Sequence, residues 1–208
     1  MPEIVLWILS AVISYLLGSI SFGILTSRIA HGPDLRTVGS KSTGASNVQR
    51  TMGWKYGLIT FFGDALKAVL GCWIGTLLTG NFLSALLCGL CVVIGHNWPV
   101  FFGFKGGKGV ASSCGVMLFC YPLPAVICFV LTILLIALLR YISVGSMFMV
   151  TLYAILITAF YSGGNPWIIA WAFVMAALVI YRHHANISRL IHGTENKLGQ
   201  RVQGKTKP

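Results

Sequence analysis

Lys105, Gly106, Gly107, Lys108 and Gly109 are consecutive, between apolar segments of a chain in which charged residues make up only 9%. Residues of these types in this order point to an anion. Glycine tolerates positive φ, so the N–H groups of Gly106, Gly107 and Gly109 can turn toward one point, and a helix starting at Val110 adds the positive end of its dipole. Lys108 lies inside this nest. The run is not a Walker A loop, because the G-x-x-x-x-G-K spacing is missing and Gly109 stands where a Ser or Thr would hold magnesium. The loop is therefore expected to grip a phosphate without requiring a nucleotide. The competing reading is a glycine-rich turn whose lysines anchor to lipid headgroups.

Two more polar clusters carry suitable residues. In residues 38–53, Arg50 offers a planar fork for two phosphate oxygens, and Ser40, Ser42, Thr43 and Asn47 offer neutral donors and acceptors. A juxtamembrane arginine also serves as a topology or lipid anchor. In residues 181–197, His183 and His184 either titrate near neutrality or cap a helix end, and Asn186 and Glu195 serve either a ligand or the loop itself. Ser143, shortly after Arg140, is either a helix cap or a site member. A side-chain general base is poorly supplied. None of His31, His96, His183, His184 or His192 is followed five residues later by Asp, and Ser-His-Asp and H-E-x-x-H patterns are missing. The carboxylates are Glu3, Asp34, Asp64 and Glu195; Asp64 precedes Lys67 by three residues on one helix face and reads as its ion-pair partner. No metal site is expected. All six cysteines fall in apolar segments, and the C-x-x-C pair Cys88 and Cys91 reads as packing.

The elements that must position these residues lie in a membrane. Hydrophobic residues make up 56% of the 208, which excludes an ordinary soluble domain. The start of the chain lacks the basic region of a cleavable signal and reads as a first span. Apolar runs at 4–26, 57–79, 123–139, 144–161 and 167–181 are long enough to cross, and 82–95 and 110–121 are shorter. The resulting expectation is an all-α integral membrane protein with seven transmembrane helices, amino terminus outside and carboxyl terminus cytoplasmic, with five crossings as the competitor. Seven crossings place all fifteen Lys and Arg on the cytoplasmic side. Fusing 110–139 into one span would export the basic tail and bury Pro122 and Pro124 in mid-helix. Residues 1–198 then form one membrane domain with three cytoplasmic loops, 38–53, 95–113 and 181–197, and 199–208 form a basic tail leaning on anionic lipid. Gly71 and Gly75 mark a close-packing helix face. No internal repeat appears, nor any basic, aromatic-interleaved surface for nucleic acid.

Taken in order, the three clusters resemble the bacterial membrane glycerol-3-phosphate acyltransferases that use acyl phosphate as donor, the PlsY family. The pattern G-S-G-N-x-G-A-x-N-x-x-R is matched by Gly39, Ser40, Gly44, Ala45, Asn47 and Arg50. A second pattern is matched by Gly95, His96, Trp98, Pro99 and the run 104–111, and a third by His183, Asn186, Gly193 and Glu195. Lys41 and Ser42 depart from the first pattern, where the family has Gly and Asn.

The resemblance implies acyl transfer from acyl phosphate to the 1-position hydroxyl of glycerol 3-phosphate at the cytoplasmic face of the bacterial inner membrane. It implies no cofactor and no obligatory protein partner. Ser40, Arg50, Lys108, His183 and Asn186 are the expected catalytic residues. Asn47, His96, Lys105, Gly106, Gly107, Gly109, Ser143 and Glu195 are expected to bind substrate. The alternative is a transporter of a phosphate-bearing solute. Against it, the polar groups sit on one face rather than at the midplane, and no inverted repeat appears.

Overall fold

A chain in hydrocarbon must satisfy its backbone hydrogen bonds within itself, and apolar runs of this length do so as helices. The computed structural model describes residues 2–200, and among these it has ten α-helices and no strand. They are α1 (Glu3–Gly18), α2 (Phe22–Ile29), α3 (Ala45–Met52), α4 (Trp54–Thr79), α5 (Phe82–Asn97), α6 (Val110–Cys120), α7 (Pro122–Leu139), α8 (Ile142–Leu156), α9 (Pro166–Arg182) and α10 (His184–Ile191). A 3₁₀ turn, Val100–Phe102, follows α5, and a π turn, Ile157–Tyr161, extends α8. Most of the expected basic tail, 201–208, lies outside the described residues.

The count of seven crossings is overturned. Five stretches are long and apolar enough to span: Glu3–Ile29, Trp54–Thr79, Phe82–Phe102, Pro122–Leu139 and Ile142–Tyr161. A sixth is available only if α9 and α10, bent by 59° at His183, act as one broken span. Helix α6 has 11 residues and rises roughly 16 Å, about half of a hydrocarbon core. The terminal orientation built on seven crossings falls with the count. The run 82–95, which looks short, continues through Trp98 and the 3₁₀ turn to make a stretch of 21 residues.

Small residues let these helices approach closely. A Cβ on Gly75 would lie 2.8 Å from Cys88 Sγ and 2.8 Å from Ser84 O, and one on Gly71 would strike Val92, so the G-x-x-x-G face of α4 seats α5. The first span is broken at Ser19–Ser21, which leaves carbonyls at the end of α1 without intrahelical partners. Lys67, 1% exposed, supplies the missing donor: its ammonium bonds Gly18 O at 2.8 Å and Ile20 O at 2.6 Å. It also pairs with Asp64 at 2.8 Å. The expected ion pair therefore forms and also ties α4 to the break in the first span. The core lies where α5, α6, α8 and α9 meet, around Val92, Val116, Met117, Met149, Tyr153 and Trp171. The polar tips of its two large aromatics are satisfied, Tyr153 Oη donating to Met117 O and Trp171 Nε1 to Leu86 O.

Candidate active site

The three polar clusters, at 38–53, 95–113 and 181–197 in the chain, meet at one end of a cavity of about 790 Å³, a size suited to a small ligand. Ser40, Asn47, Arg50, Lys108, His183 and Asn186 line its polar end. Phe61, Leu66, Leu118, Phe129, Ile133 and Ile136 line the rest. Leu66 of α4 and Ile133 of α7 are also 57% and 67% exposed, so the apolar part opens sideways onto the lipid-facing surface.

Asn47 builds the first wall. Its Nδ2 donates to Leu35 O, Val38 O and Ser42 O, and its Oδ1 accepts from Ser40 N at 2.9 Å. One side chain thus folds residues 35–42 into the bend that presents Ser40. Lys41 takes φ 54 within this bend, a left-handed conformation that costs an L residue about 1–2 kcal/mol. The family pattern that the chain resembles has glycine at this position, where the conformation is free of that strain. Arg50, on α3, is 8% exposed and makes no hydrogen bond or ion pair among the described residues. Burial draws its guanidinium below the ordinary value, offset by Glu195 and reinforced by Arg189. An unpaired buried guanidinium on a cavity wall is a site for an anion.

The glycine loop is built differently from the expected nest of positive φ angles. Only Gly109, at φ 82, has one; Gly106 and Gly107 do not. They are glycines because the end of α5 leaves no room. A Cβ on Gly106 would lie 2.6 Å from Pro99 Cδ and 2.8 Å from Asn97 O, and one on Gly107 would enter the His96 ring, 2.8 Å from Cε1. All three glycines are buried behind the cavity wall, which Lys108, Val110 and Ala111 form. The N–H groups of Lys108, Gly109, Val110 and Ala111 have no acceptor among the described residues, so donors do collect at the start of α6. Lys105 is exposed and lies outside the cavity lining.

Lys108 Nζ donates to Asn186 Oδ1 at 2.6 Å. Burial, together with Arg189, Arg50 and Arg182, pulls its ammonium down to about 8 against the opposing pull of Glu195. Asn186 Nδ2 donates to Glu195 Oε1 at 2.6 Å, so a cation on one side and a carboxylate on the other fix the amide's orientation. Glu195 also accepts from Ser143 Oγ at 2.8 Å and Arg189 Nε at 2.7 Å. Burial raises its carboxyl, but hydrogen bonds from Asn186, Ser143 and Arg189 outweigh that and hold it below the ordinary value. Glu195 stands behind the wall, orienting Asn186. Ser143 lines the cavity and bonds Glu195; it does not cap α8.

His183 occupies the break between α9 and α10. Its Nδ1 lies 2.7 Å from Val179 O. A carbonyl only accepts, so Nδ1 carries the proton and Nε2 is left as an acceptor. His96 sits deeper, its Nδ1 3.3 Å from Asp64 Oδ1 and 3.2 Å from Lys67 Nζ, with the ring against Gly107. An Asp–His contact therefore exists, between residues 32 apart in the chain rather than in a local motif. Arg182 and Arg189, which hold the loop and Glu195, are the members that spacing alone does not reveal. Among the described residues no group of three His, Cys, Asp or Glu side chains is placed to hold a metal, and all six cysteines are unbridged.

Comparison with known proteins converges on one family. The profile described as glycerol-3-phosphate acyltransferase matches residues 8–193. Among relatives, the glycerol-3-phosphate acyltransferase of Clostridioides difficile (strain 630) is 41% identical over 97% of this chain and 100% of its own length. Glycerol-3-phosphate acyltransferase 2 of Moorella thermoacetica is 42% identical over 94% and 100%. Two crystal structures of PlsY (YgiH), an integral membrane glycerol 3-phosphate acyltransferase, superpose closely. The glycerol 3-phosphate form has a TM-score of 0.86 at 38% identity, and the lysophosphatidic acid form 0.83 at 36%, each covering 93% of this chain and 96% of the other. The chain belongs to the glycerol-3-phosphate acyltransferase family of PlsY type.

Proposed function

We propose that Arg50, Ser40 and Asn186 seat the phosphate of glycerol 3-phosphate, while Lys108 and the amides that open α6 hold the phosphate of an acyl phosphate whose chain lies in the apolar part of the cavity. The 1-position hydroxyl attacks the acyl carbonyl carbon. The new ester C–O bond forms, the carbonyl carbon's bond to the phosphate oxygen breaks with its electron pair leaving on phosphate, and the hydroxyl proton ends on a phosphate oxygen. The products are lysophosphatidate and inorganic phosphate. His183 Nε2 accepts the hydroxyl's hydrogen bond and orients it. No side chain needs to become the proton's final holder, because the leaving phosphate is itself a base.

Catalysis on this reading is positioning plus charge stabilisation. Lys108 and the α6 amides meet the charge that grows on departing phosphate. Asn47, His96 and Ser143 on the cavity lining, and Gly106, Gly107, Gly109 and Glu195 behind it, support that geometry, and Lys105 draws anions toward the mouth. The cationic loops gather at the end of the bundle that holds the site, whereas the turns at Gly80–Asn81, Tyr121 and Gly163–Asn165 carry no charge. By the positive-inside tendency the site faces the cytoplasm of a bacterial inner membrane.

The observation that carries this reading is the meeting of an unpaired buried Arg50 with Lys108 at the polar end of a cavity whose other end is apolar and open to lipid. It is tested with the purified protein in vesicles. Acyl phosphate and glycerol 3-phosphate should yield lysophosphatidate, and acyl-CoA in place of acyl phosphate should not. Equal use of acyl-CoA, or accumulation of glycerol 3-phosphate inside sealed vesicles without new lipid, would overturn it.

A further inference from the structure

Arg182 stands outside the cavity, at the last turn of α9, where a basic residue ordinarily complements the helix dipole or anchors to lipid. Its hydrogen bonds go elsewhere. Nε and Nη2 both donate to Gly107 O, at 3.0 and 2.9 Å, and Nη2 also reaches Gly106 O at 3.5 Å. The guanidinium lies over the Trp98 ring, 5.2 Å from its centre, and Trp98 O accepts from Tyr15 Oη at 3.0 Å. Arg182 is therefore held between an aromatic face and two loop carbonyls.

The consequence follows from peptide geometry. Every peptide bond among the described residues is trans, so the carbonyl of Gly107 and the N–H of Lys108 point in opposite directions across one plane. A forked cation on Gly107 O turns that plane so that the Lys108 N–H, which has no acceptor among the described residues, faces away from Arg182. On the loop's other side Gly107 N donates to His96 O at 3.0 Å. The residue after Arg182 is His183, so the same clamp ties the glycine loop to the break in α9 and α10 that presents His183 and Asn186.

We propose that Arg182, seated on Trp98, is a positioning residue for acyl transfer, orienting the Gly107–Lys108 peptide so that the free Lys108 N–H and the Lys108 ammonium meet the leaving phosphate. This rests on the assignment of the loop to phosphate made above. Loss of one oriented, charge-assisted contact corresponds to about tenfold.

The test uses full-length protein in vesicles, with Arg182→Gln, Arg182→Lys and Trp98→Leu, and Arg28→Gln as the control for a surface arginine over an aromatic ring. Inorganic phosphate is the probe, through its inhibition constant. In Arg182→Gln that constant should rise about tenfold and kcat fall by a similar factor, with KM for glycerol 3-phosphate changed less than about twofold. Arg182→Lys and Trp98→Leu should lie between it and wild type, and Arg28→Gln should match wild type. A general loss of structure would move both KM values together and would not be relieved by lysine. Folded Arg182→Gln with wild-type kcat and phosphate inhibition overturns the proposal. Should that variant fail to fold, Arg182→Lys decides alone, and wild-type constants in it overturn the proposal. If wild-type protein makes no lysophosphatidate, the functional reading fails instead; if wild type is active and the Arg182 variants match it, only the present inference fails.

Discussion

Gly107→Ala separates two reasons for a glycine in the loop, approach by the ligand and crowding by His96. The new Cβ would sit 2.8 Å from His96 Cε1 and closer still to Nε2, against 3.4 Å for ordinary contact, so ring or loop must shift by at least about 0.6 Å. The ring has little freedom: His96 is 4% exposed, backed by Asp64 and Lys67, and its own carbonyl holds Gly107 N. Overpacking of this kind costs about 1–3 kcal/mol, and displacement of a catalytic group by about 1 Å costs on the order of 100-fold in rate. Gly107→Ala should therefore lower kcat/KM by about 10- to 100-fold and lower the thermal midpoint by several degrees, at about 2–4 °C per kcal/mol. The assay is a double-mutant cycle with His96→Ala, which removes the ring. If the ring is the obstacle, the double variant is better than the sum of the single losses by about 1–2 kcal/mol in both midpoint and kcat/KM. Strict additivity would refute the assignment of Gly107 to crowding by His96 and return it to ligand approach.

Arg50→Ala removes a guanidinium that offers phosphate two charge-assisted bonds of about 1.5–3 kcal/mol each. Because water replaces part of what the phosphate loses, the net loss is that of about one such bond and predicts a rise of roughly 10- to 100-fold in KM for glycerol 3-phosphate, whereas Lys108→Ala should act mainly on kcat; steady-state kinetics in vesicles distinguish them. With Lys108 pulled down to about 8, the free enzyme's ammonium is present below that pH and lost as pH rises through it, so kcat/KM should fall above about 8. The limb in kcat should lie higher, because bound phosphate dianion favours the ammonium, and Lys108→Arg should remove the limb from kcat/KM; a flat profile to pH 9.5 would contradict this. Lys41→Gly relieves the left-handed strain at φ 54 and should raise the thermal midpoint, by up to about 1 kcal/mol of stability, without changing kinetics.

Much of the candidate site was legible because its residue types are scarce in a chain so poor in charge. Arg50, Lys108, Asn186 and His183 stand out against apolar surroundings, and each lines the same cavity. The reasons behind them were less legible. Gly106 and Gly107 suggest conformational freedom, yet their constraint comes from His96 and Asn97 at the end of another helix. Glu195 suggests a ligand contact, yet three donors occupy its carboxylate behind the wall. Arg182 is not singled out in the sequence, since nothing in its local sequence records a bond to a carbonyl 75 residues away. For the fold, hydropathy located the apolar helices, but the polar helices α3 and α10 lie in segments read as loops, and the break at His183 and the 3₁₀ extension past Trp98 depend on backbone geometry. Counting apolar runs therefore gave seven crossings where five, or six with the bent pair, meet the length requirement.

Direct transfer between two seated substrates is tested most simply by following inorganic phosphate release from acyl phosphate, first without and then with glycerol 3-phosphate, at stoichiometric enzyme. No protein nucleophile is invoked, so phosphate should appear only when the acceptor is added, mole for mole with lysophosphatidate. A stoichiometric burst of phosphate before the acceptor arrives, leaving acylated protein, would contradict it.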